Sequence, residues 1–278
     1  MEDDLPLHVE LRGHGPPIVL LHGFGATSYT WRHWLPALAE RHTAVLVDLK
    51  GFGRAPKPDD GRYGPGEQAE LVVRMMVRQD LSRATVVGHS LGGAVALLVA
   101  LRLRDQGEER RIARLVSVAG AAYPQPIPRF VSLARRRWLA RAVLRAVPKR
   151  WLIRTVLEDV VHDPASMTED QVRAYAEPLA TRGGRRAMLQ AARQIVPENV
   201  EAWTRRFPEL DLPTLLLWGN DDRVVPPWVG RRLAADLPCS RLIVLPDCGH
   251  IPQEERPTES LEALLGFLGG TREGPEGA

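Results

Sequence analysis

The sequence predicts an α/β fold: a mostly parallel, doubly wound sheet with a helical insertion. Three observations predict it. Short β-branched or apolar runs alternate with longer helical stretches through most of the 278 residues. One stretch, residues 121–207, breaks that rhythm with helical segments and no strand. Gly88-His89-Ser90-Leu91-Gly92 joins a buried strand to a helix through a turn that reverses the chain within a few residues.

Residues 7–12 (LHVELR) alternate and predict an edge strand; 17–21 (PIVLL) predict a buried one that runs into the glycine-rich turn His22-Gly23-Phe24-Gly25. Trp31, Trp34, Leu35 and Leu38 recur at helical spacing, so 28–40 is expected to be one amphipathic helix. Residues 44–48 (AVLVD) predict the next buried strand, ending at Asp48-Leu49-Lys50-Gly51-Phe52-Gly53. A Pro- and Gly-rich loop follows from Pro56 to Gly66, then a helix over 67–79. Thr85-Val86-Val87 predict the strand before Ser90, the apolar segment 94–103 predicts the helix after it, and 112–119 a further strand. Beyond the insertion the pattern resumes with a strand at 213–218, a helix at 227–237, a strand at 241–246 and a helix at 257–268. The organisation expected is therefore a core of residues 1–120 and 208–268, an insertion at 121–207, and a disordered Gly- and charge-rich tail at 269–278.

With 44% hydrophobic and 26% charged residues, the composition is that of a soluble globular chain, and no apolar run approaches the length of a membrane span. The acidic start, Met1-Glu2-Asp3-Asp4, lacks an apolar signal core, so a cytoplasmic location is expected. Two cysteines, Cys239 and Cys248, do not amount to a disulfide framework or a metal set, and two buried thiols are expected. The net charge of +3 hides an asymmetry. Residues 121–207 hold 16 Arg or Lys against 8 Asp or Glu, whereas the rest of the chain holds 21 against 26.

The Gly-x-Ser-x-Gly turn predicts chemistry. It forces Ser90 into a strained backbone conformation, lifts its hydroxyl clear of the sheet, and aims the first N–H groups of the following helix beside it. A Cβ at Gly88 or Gly92 would clash with the neighbouring strand and helix. A serine hydroxyl is a poor nucleophile without a base in reach, and the base is normally a histidine fixed by a buried carboxylate. His250 lies in a loop just after a predicted strand, and Gly249 gives that loop turning freedom. Asp221 and Asp222 also follow a strand, and spacing alone does not separate them. The order Ser…Asp…His is one of the known orders for this constellation. An oxyanion needs two converging N–H groups; Leu91, next to the nucleophile, supplies one, and Phe24 in the glycine turn the other. The side chains of His22 and His89 are expected to be structural.

These residues resemble the α/β-hydrolase fold superfamily over about residues 7 to 268. Four ordered motifs carry the resemblance: His22-Gly23-Phe24-Gly25, Asp48 to Gly53, Gly88-His89-Ser90-Leu91-Gly92-Gly93, and Gly249-His250-Ile251-Pro252 with Glu255 and Pro257 after it. The resemblance implies an acid in the pattern G-x-x-D-x-x-V-P, which falls on Gly219 to Pro226 and selects Asp222. It also implies that the insertion is a helical cap over the site. Epoxide hydrolases and haloalkane dehalogenases of this fold use an aspartate nucleophile, whereas position 90 is serine. Carbon–carbon hydrolases often carry Trp after the catalytic histidine and a Ser-Met pair, whereas Ile251 and Ser90-Leu91 stand here; Gly25 to Arg32 does look like that group.

The expected activity is hydrolysis of small-molecule carboxylic esters of short to medium acyl chain, with Ser90, His250 and Asp222 as the triad and Phe24 and Leu91 as the oxyanion hole. No cofactor or metal is implied. The alternatives are a carbon–carbon hydrolase of vinylogous diketones, which would need a polar cap residue such as an arginine for the substrate carboxylate, and a slow-turnover receptor. The basic run from Arg129 to Arg154 includes an amphipathic helix. It is expected to close its apolar face, Phe130, Leu133, Trp138, Leu139, Val143 and Leu144, over the site with its arginines in water. Contact with an anionic membrane is the less favoured reading, and nucleic-acid binding is not expected because no reading motif accompanies the charge. The sequence does not specify an oligomeric state.

Overall fold

The structure, a computed structural model, describes residues 5–197 and 199–270. Seven strands form its sheet: β1 (His8–Arg12), β2 (Pro17–Leu21), β3 (Thr43–Asp48), β4 (Ala84–His89), β5 (Ile112–Val118), β6 (Thr214–Gly219) and β7 (Ser240–Leu245). Their spatial order is β1-β3-β2-β4-β5-β6-β7. Only β1, at the edge, is antiparallel, and every other neighbouring pair is parallel. Parallel strands need crossovers, which here are helices: α1 (Leu35–Ala39), α2 (Pro65–Arg78) and α3 (Leu91–Asp105). Between β5 and β6 lie six more: α4 (Arg129–Arg135), α5 (Arg137–Ala146), α6 (Lys149–Val160), α7 (Glu169–Ala176), α8 (Arg182–Gln194) and α9 (Val200–Thr204). The chain closes with α10 (Pro227–Asp236), α11 (Pro252–Glu255) and α12 (Pro257–Gly269).

The sheet is covered on both faces, as the alternation of strands and helices predicts, and alternate side chains of a buried strand enter two cores. In β2, Val19 and Leu21 join a core that includes Val72 and Met76 of α2 and Leu97 of α3. Ile18 and Leu20 point the other way, against Trp31, Trp34, Leu38 and Leu264 of α12. The indole of Trp34 donates to Ser260 Oγ at 3.1 Å, so its one polar atom is satisfied within this second core.

The single helix expected over 28–40 is broken into a 3₁₀ turn at Ser28–Trp31 and the short α1. Pro36 is the reason. It lacks an N–H and is tolerated only in a helix's first turn, so a new helix starts there. The apolar face survives the break: Trp31, Trp34 and Leu38 are buried. The helix expected from 94 starts earlier, at Leu91, and takes in Gly92 and Gly93. Cys248 is buried as expected, but Cys239 is exposed, its thiol donating to Asp211 Oδ1 at 3.1 Å. Of the tail expected to be disordered, Gly269 closes α12, and 271–278 lie outside the described residues, as do Met1 to Asp4. No helix among the described residues is long and apolar enough to cross a membrane.

The turn between β4 and α3 needs its glycines for close approach. A Cβ at Gly88 would lie 2.0 Å from Gly92 O, and one at Gly92 would lie 2.2 Å from Leu21 O, a backbone atom of β2 that cannot yield. Gly92→Ala is therefore expected to destabilise the fold by about 3 kcal/mol or more. Gly266→Ala, exposed on α12 with nothing within 4 Å of the added Cβ, should stabilise it by ~0.5–1 kcal/mol. Urea unfolding of the two variants checks both signs.

Candidate active site

Ser90 sits where β4 turns into α3, with φ +53 and ψ −114, a conformation that costs a non-glycine residue about 1–3 kcal/mol. The surroundings over-determine it. Its N–H donates to Val118 O at 2.9 Å, and its carbonyl accepts from the N–H groups of Gly93, Ala94 and Ala121 at 3.0–3.2 Å. The side chain is thereby aimed at the loops beyond β6 and β7.

Those loops bring the predicted partners together. Ser90 Oγ and His250 Nε2 are 2.9 Å apart, and His250 Nδ1 is 2.8 Å from Asp222 Oδ2. Asp222 is fully buried, and its other oxygen accepts the N–H groups of Val224 and Val225, both at 2.8 Å. An ionised carboxylate so placed accepts from Nδ1–H, which leaves Nε2 unprotonated and able to accept from the serine hydroxyl. Asp221, which spacing left level with Asp222, turns away and pairs with His162 of the insertion at 2.8 Å.

The histidine loop is anchored on both sides. The His250 N–H donates to Val160 O at the end of α6, at 2.9 Å. Glu255 accepts from Gly249 N–H (3.0 Å), Ile251 N–H (3.1 Å) and His162 N–H (2.6 Å). The neighbouring Glu254 is buried and accepts from Thr30, Arg32, Gln171 and Tyr175, which joins the first loop, the insertion and the histidine loop. Sequence reasoning gave Glu255 no role and missed Glu254. The run Glu254-Glu255, directly after an apolar loop, was the available signal.

His22 and His89 do the structural work expected of them. His22 Nδ1–H donates to Gly23 O at 2.8 Å, and its Nε2 accepts from Leu49 N–H at 3.0 Å, so it ties the glycine turn to the end of β3. His89 donates from Nε2 to the carbonyl of His250 at 2.8 Å and so holds the histidine loop against β4. Asp48 stays outside the site; it accepts from Ser28 N–H and Arg54 N–H and shapes the loop after β3. Burial pushes the imidazole of His22 below its ordinary value, and burial followed by the nearness of His250 pushes that of His89 far below it.

Ser90 and His250 open into a cavity of about 250 Å³. Phe24 and Leu91, whose backbone N–H groups were singled out for the oxyanion, line it, and among the described residues neither N–H has a partner. The far wall comes from the insertion, with Leu144 of α5, Ile153 of α6 and Met188 of α8. Among the described residues no Asp, Glu, Arg or Lys lines the cavity. One described group has ligand atoms close enough for a metal, His162, Asp221 and Asp247, all within 4.8 Å of one another. It lies outside this cavity, and two of its members already bond each other.

The alpha/beta hydrolase fold family model matches residues 16–257. A pimeloyl-[acyl-carrier protein] methyl ester esterase of Aeromonas hydrophila is 31% identical over 95% of this chain and 100% of its own. A 2-hydroxy-6-oxononadienedioate/2-hydroxy-6-oxononatrienedioate hydrolase of Cupriavidus pinatubonensis is 26% identical over 96% of this chain and 92% of its own. Among solved structures, a thermophilic esterase from Thermogutta terrifontis superposes with a TM-score of 0.78 at 25% identity, covering 94% of this chain and 92% of the other.

The buried His22 and His89 set a pH dependence of stability. Their folded values lie below 6.5, so as pH falls through about 6.5 the unfolded chain takes up protons that the folded chain refuses. Their stabilising contribution is full above that pH and is lost below it, by up to ~1.4 kcal/mol per pH unit for each histidine. Urea midpoints measured from pH 7 to 5 should fall accordingly, and His89→Gln should lessen the slope.

Proposed function

The chain belongs to the alpha/beta hydrolase fold family, and on that premise we propose that it is a serine hydrolase of neutral carboxylic esters with short to medium acyl chains. The observation that carries the proposal is the bonded sequence Ser90–His250–Asp222 opening into an apolar cavity without charged lining among the described residues. In this reading residues 121–207 are a cap over a core of 1–120 and 208–268.

The geometry supports the following reaction. His250 Nε2 takes the Ser90 proton as Oγ attacks the acyl carbon. The negative charge moves to the carbonyl oxygen, where the N–H groups of Phe24 and Leu91, with the N-terminal end of α3 behind them, hold it. Asp222 stabilises the imidazolium and keeps its orientation. The imidazolium gives the proton to the leaving alkoxide, and the alcohol departs from an acyl-serine ester. Water then attacks that ester with His250 again as base, which returns the acid and the free serine.

The apolar lining favours this reading over cleavage of a carboxylate-bearing diketone. Burying a substrate carboxylate without a cation beside it is costly, and no Arg or Lys lines the cavity among the described residues. The likeness to a ring-product hydrolase is matched in extent by the likeness to an ester hydrolase, so lineage alone does not choose between them.

Two outcomes are expected with p-nitrophenyl esters from acetate upward. Wild-type kcat/KM should climb about fourfold per added methylene, the equivalent of ~0.8 kcal/mol of transfer energy, until the acyl chain outgrows the cavity. Ser90→Ala and Asp222→Asn should each lower the rate by roughly 10⁴-fold. Absence of ester turnover, with hydrolysis of ring-fission diketones or tight ligand binding instead, would overturn the assignment.

A further inference from the structure

We propose that the outer faces of α5 and α6 form a docking surface for an anionic lipid membrane. Trp138 and Leu139 were expected to face the site with the rest of the apolar side of the basic helix. Instead Trp138 is 82% exposed, Leu139 47%, and Trp151, on the next helix, 60%. The inner faces are already filled: Val143 and Leu144 on α5 and Ile153 and Val156 on α6 line the cavity. The two indoles are therefore surplus to covering the site, and they stand on the opposite, solvent side of the same two consecutive helices.

The charge along α5 and the first two turns of α6 is positive, and the exposed Glu158 and Asp159 follow at the far end of α6. From Arg110 to Leu157 the chain contains no Asp or Glu, while nine Arg and Lys fall between Arg129 and Arg154. Lys149 is taken up by the carbonyls of Leu144 and Val147, and Arg154 pairs with Glu169. Among the described residues, Arg129, Arg135, Arg136, Arg145 and Arg150 have no carboxylate partner, and all are exposed. Indole rings prefer the boundary between headgroups and acyl chains, and guanidinium groups beside them add attraction to anionic lipid. An acidic protein would meet the charge. However, protein interfaces carry mixed polar rims, and the stretch before Glu158 sets unpaired arginines beside protruding indoles, which suits an anionic lipid surface better. Such docking is peripheral, since no described helix can span a bilayer. It would set the wall of the apolar cavity against a reservoir of apolar esters. That benefit rests on the esterase reading; the binding itself does not.

The test is co-sedimentation of the full chain with vesicles of phosphatidylcholine alone or mixed with phosphatidylglycerol, at low and high salt. The chain should sediment with the mixed vesicles at low salt, with a blue shift of tryptophan emission, and much less with neutral vesicles or at high salt. The Trp138→Ala/Trp151→Ala double variant should bind about tenfold more weakly or worse, and Arg145→Gln and Arg150→Gln about fivefold each. Turnover of a soluble ester, or unfolding by urea if no ester is turned over, should be unchanged in all of them, which separates loss of docking from loss of fold. Absence of vesicle binding, equal binding to neutral vesicles, or binding indifferent to these substitutions overturns the proposal. Preference for a soluble acidic protein over mixed vesicles overturns it in favour of a protein partner.

Discussion

One hydrogen bond, between Ser90 and His250, links residues 160 positions apart, and much of the fold serves to hold its two ends at 2.9 Å. One end is fixed by strain. Ser90 keeps a positive φ because β5, α3 and the residue after Gly120 all bond its backbone. The other end is fixed by neighbouring loops. A Cβ at Gly219 would meet Gly249 O at 2.1 Å, and Asp221 N–H donates to Cys248 O, so the loop bearing Asp222 and the loop bearing His250 are packed backbone to backbone. Parallel pairing of β4 through β7 delivers both loops to the same rim of the sheet.

The insertion is a second support for that bond as well as a wall of the cavity. Val160 and His162 bond the histidine loop directly or through Glu255, and Gln171 and Tyr175 reach it through Glu254. A Cβ at Gly249 would lie 2.6 Å from Val160 O, so the glycine beside His250 is required by the insertion as much as by the loop. Movement of α6 relative to the sheet would therefore be felt at His250.

Much of this was legible in the sequence because the signals are local. Strand runs, the glycine turn and the loop positions of Asp222 and His250 follow from period, turn chemistry and strand ends. Their limits are also local. Pro36 split a helix whose apolar spacing alone read as continuous, and the glycines of α3 masked its true start. The adjacent Glu254 and Glu255 are visible in the sequence, but their long-range partners, and those of His162, depend on which loops become neighbours. Trp138 was misplaced for a related reason. Apolar spacing says that a helix has an apolar face, but not that the cavity beneath is already filled from other positions.

The central claim, that Ser90 is a nucleophile activated by His250 and Asp222, is tested most directly by intact-mass analysis after exposure to a neutral alkyl fluorophosphonate. The account predicts one adduct per chain, mapped to the peptide carrying Ser90 and largely lost in His250→Ala. An unmodified chain, or an adduct on another residue with Ser90 untouched, would contradict it.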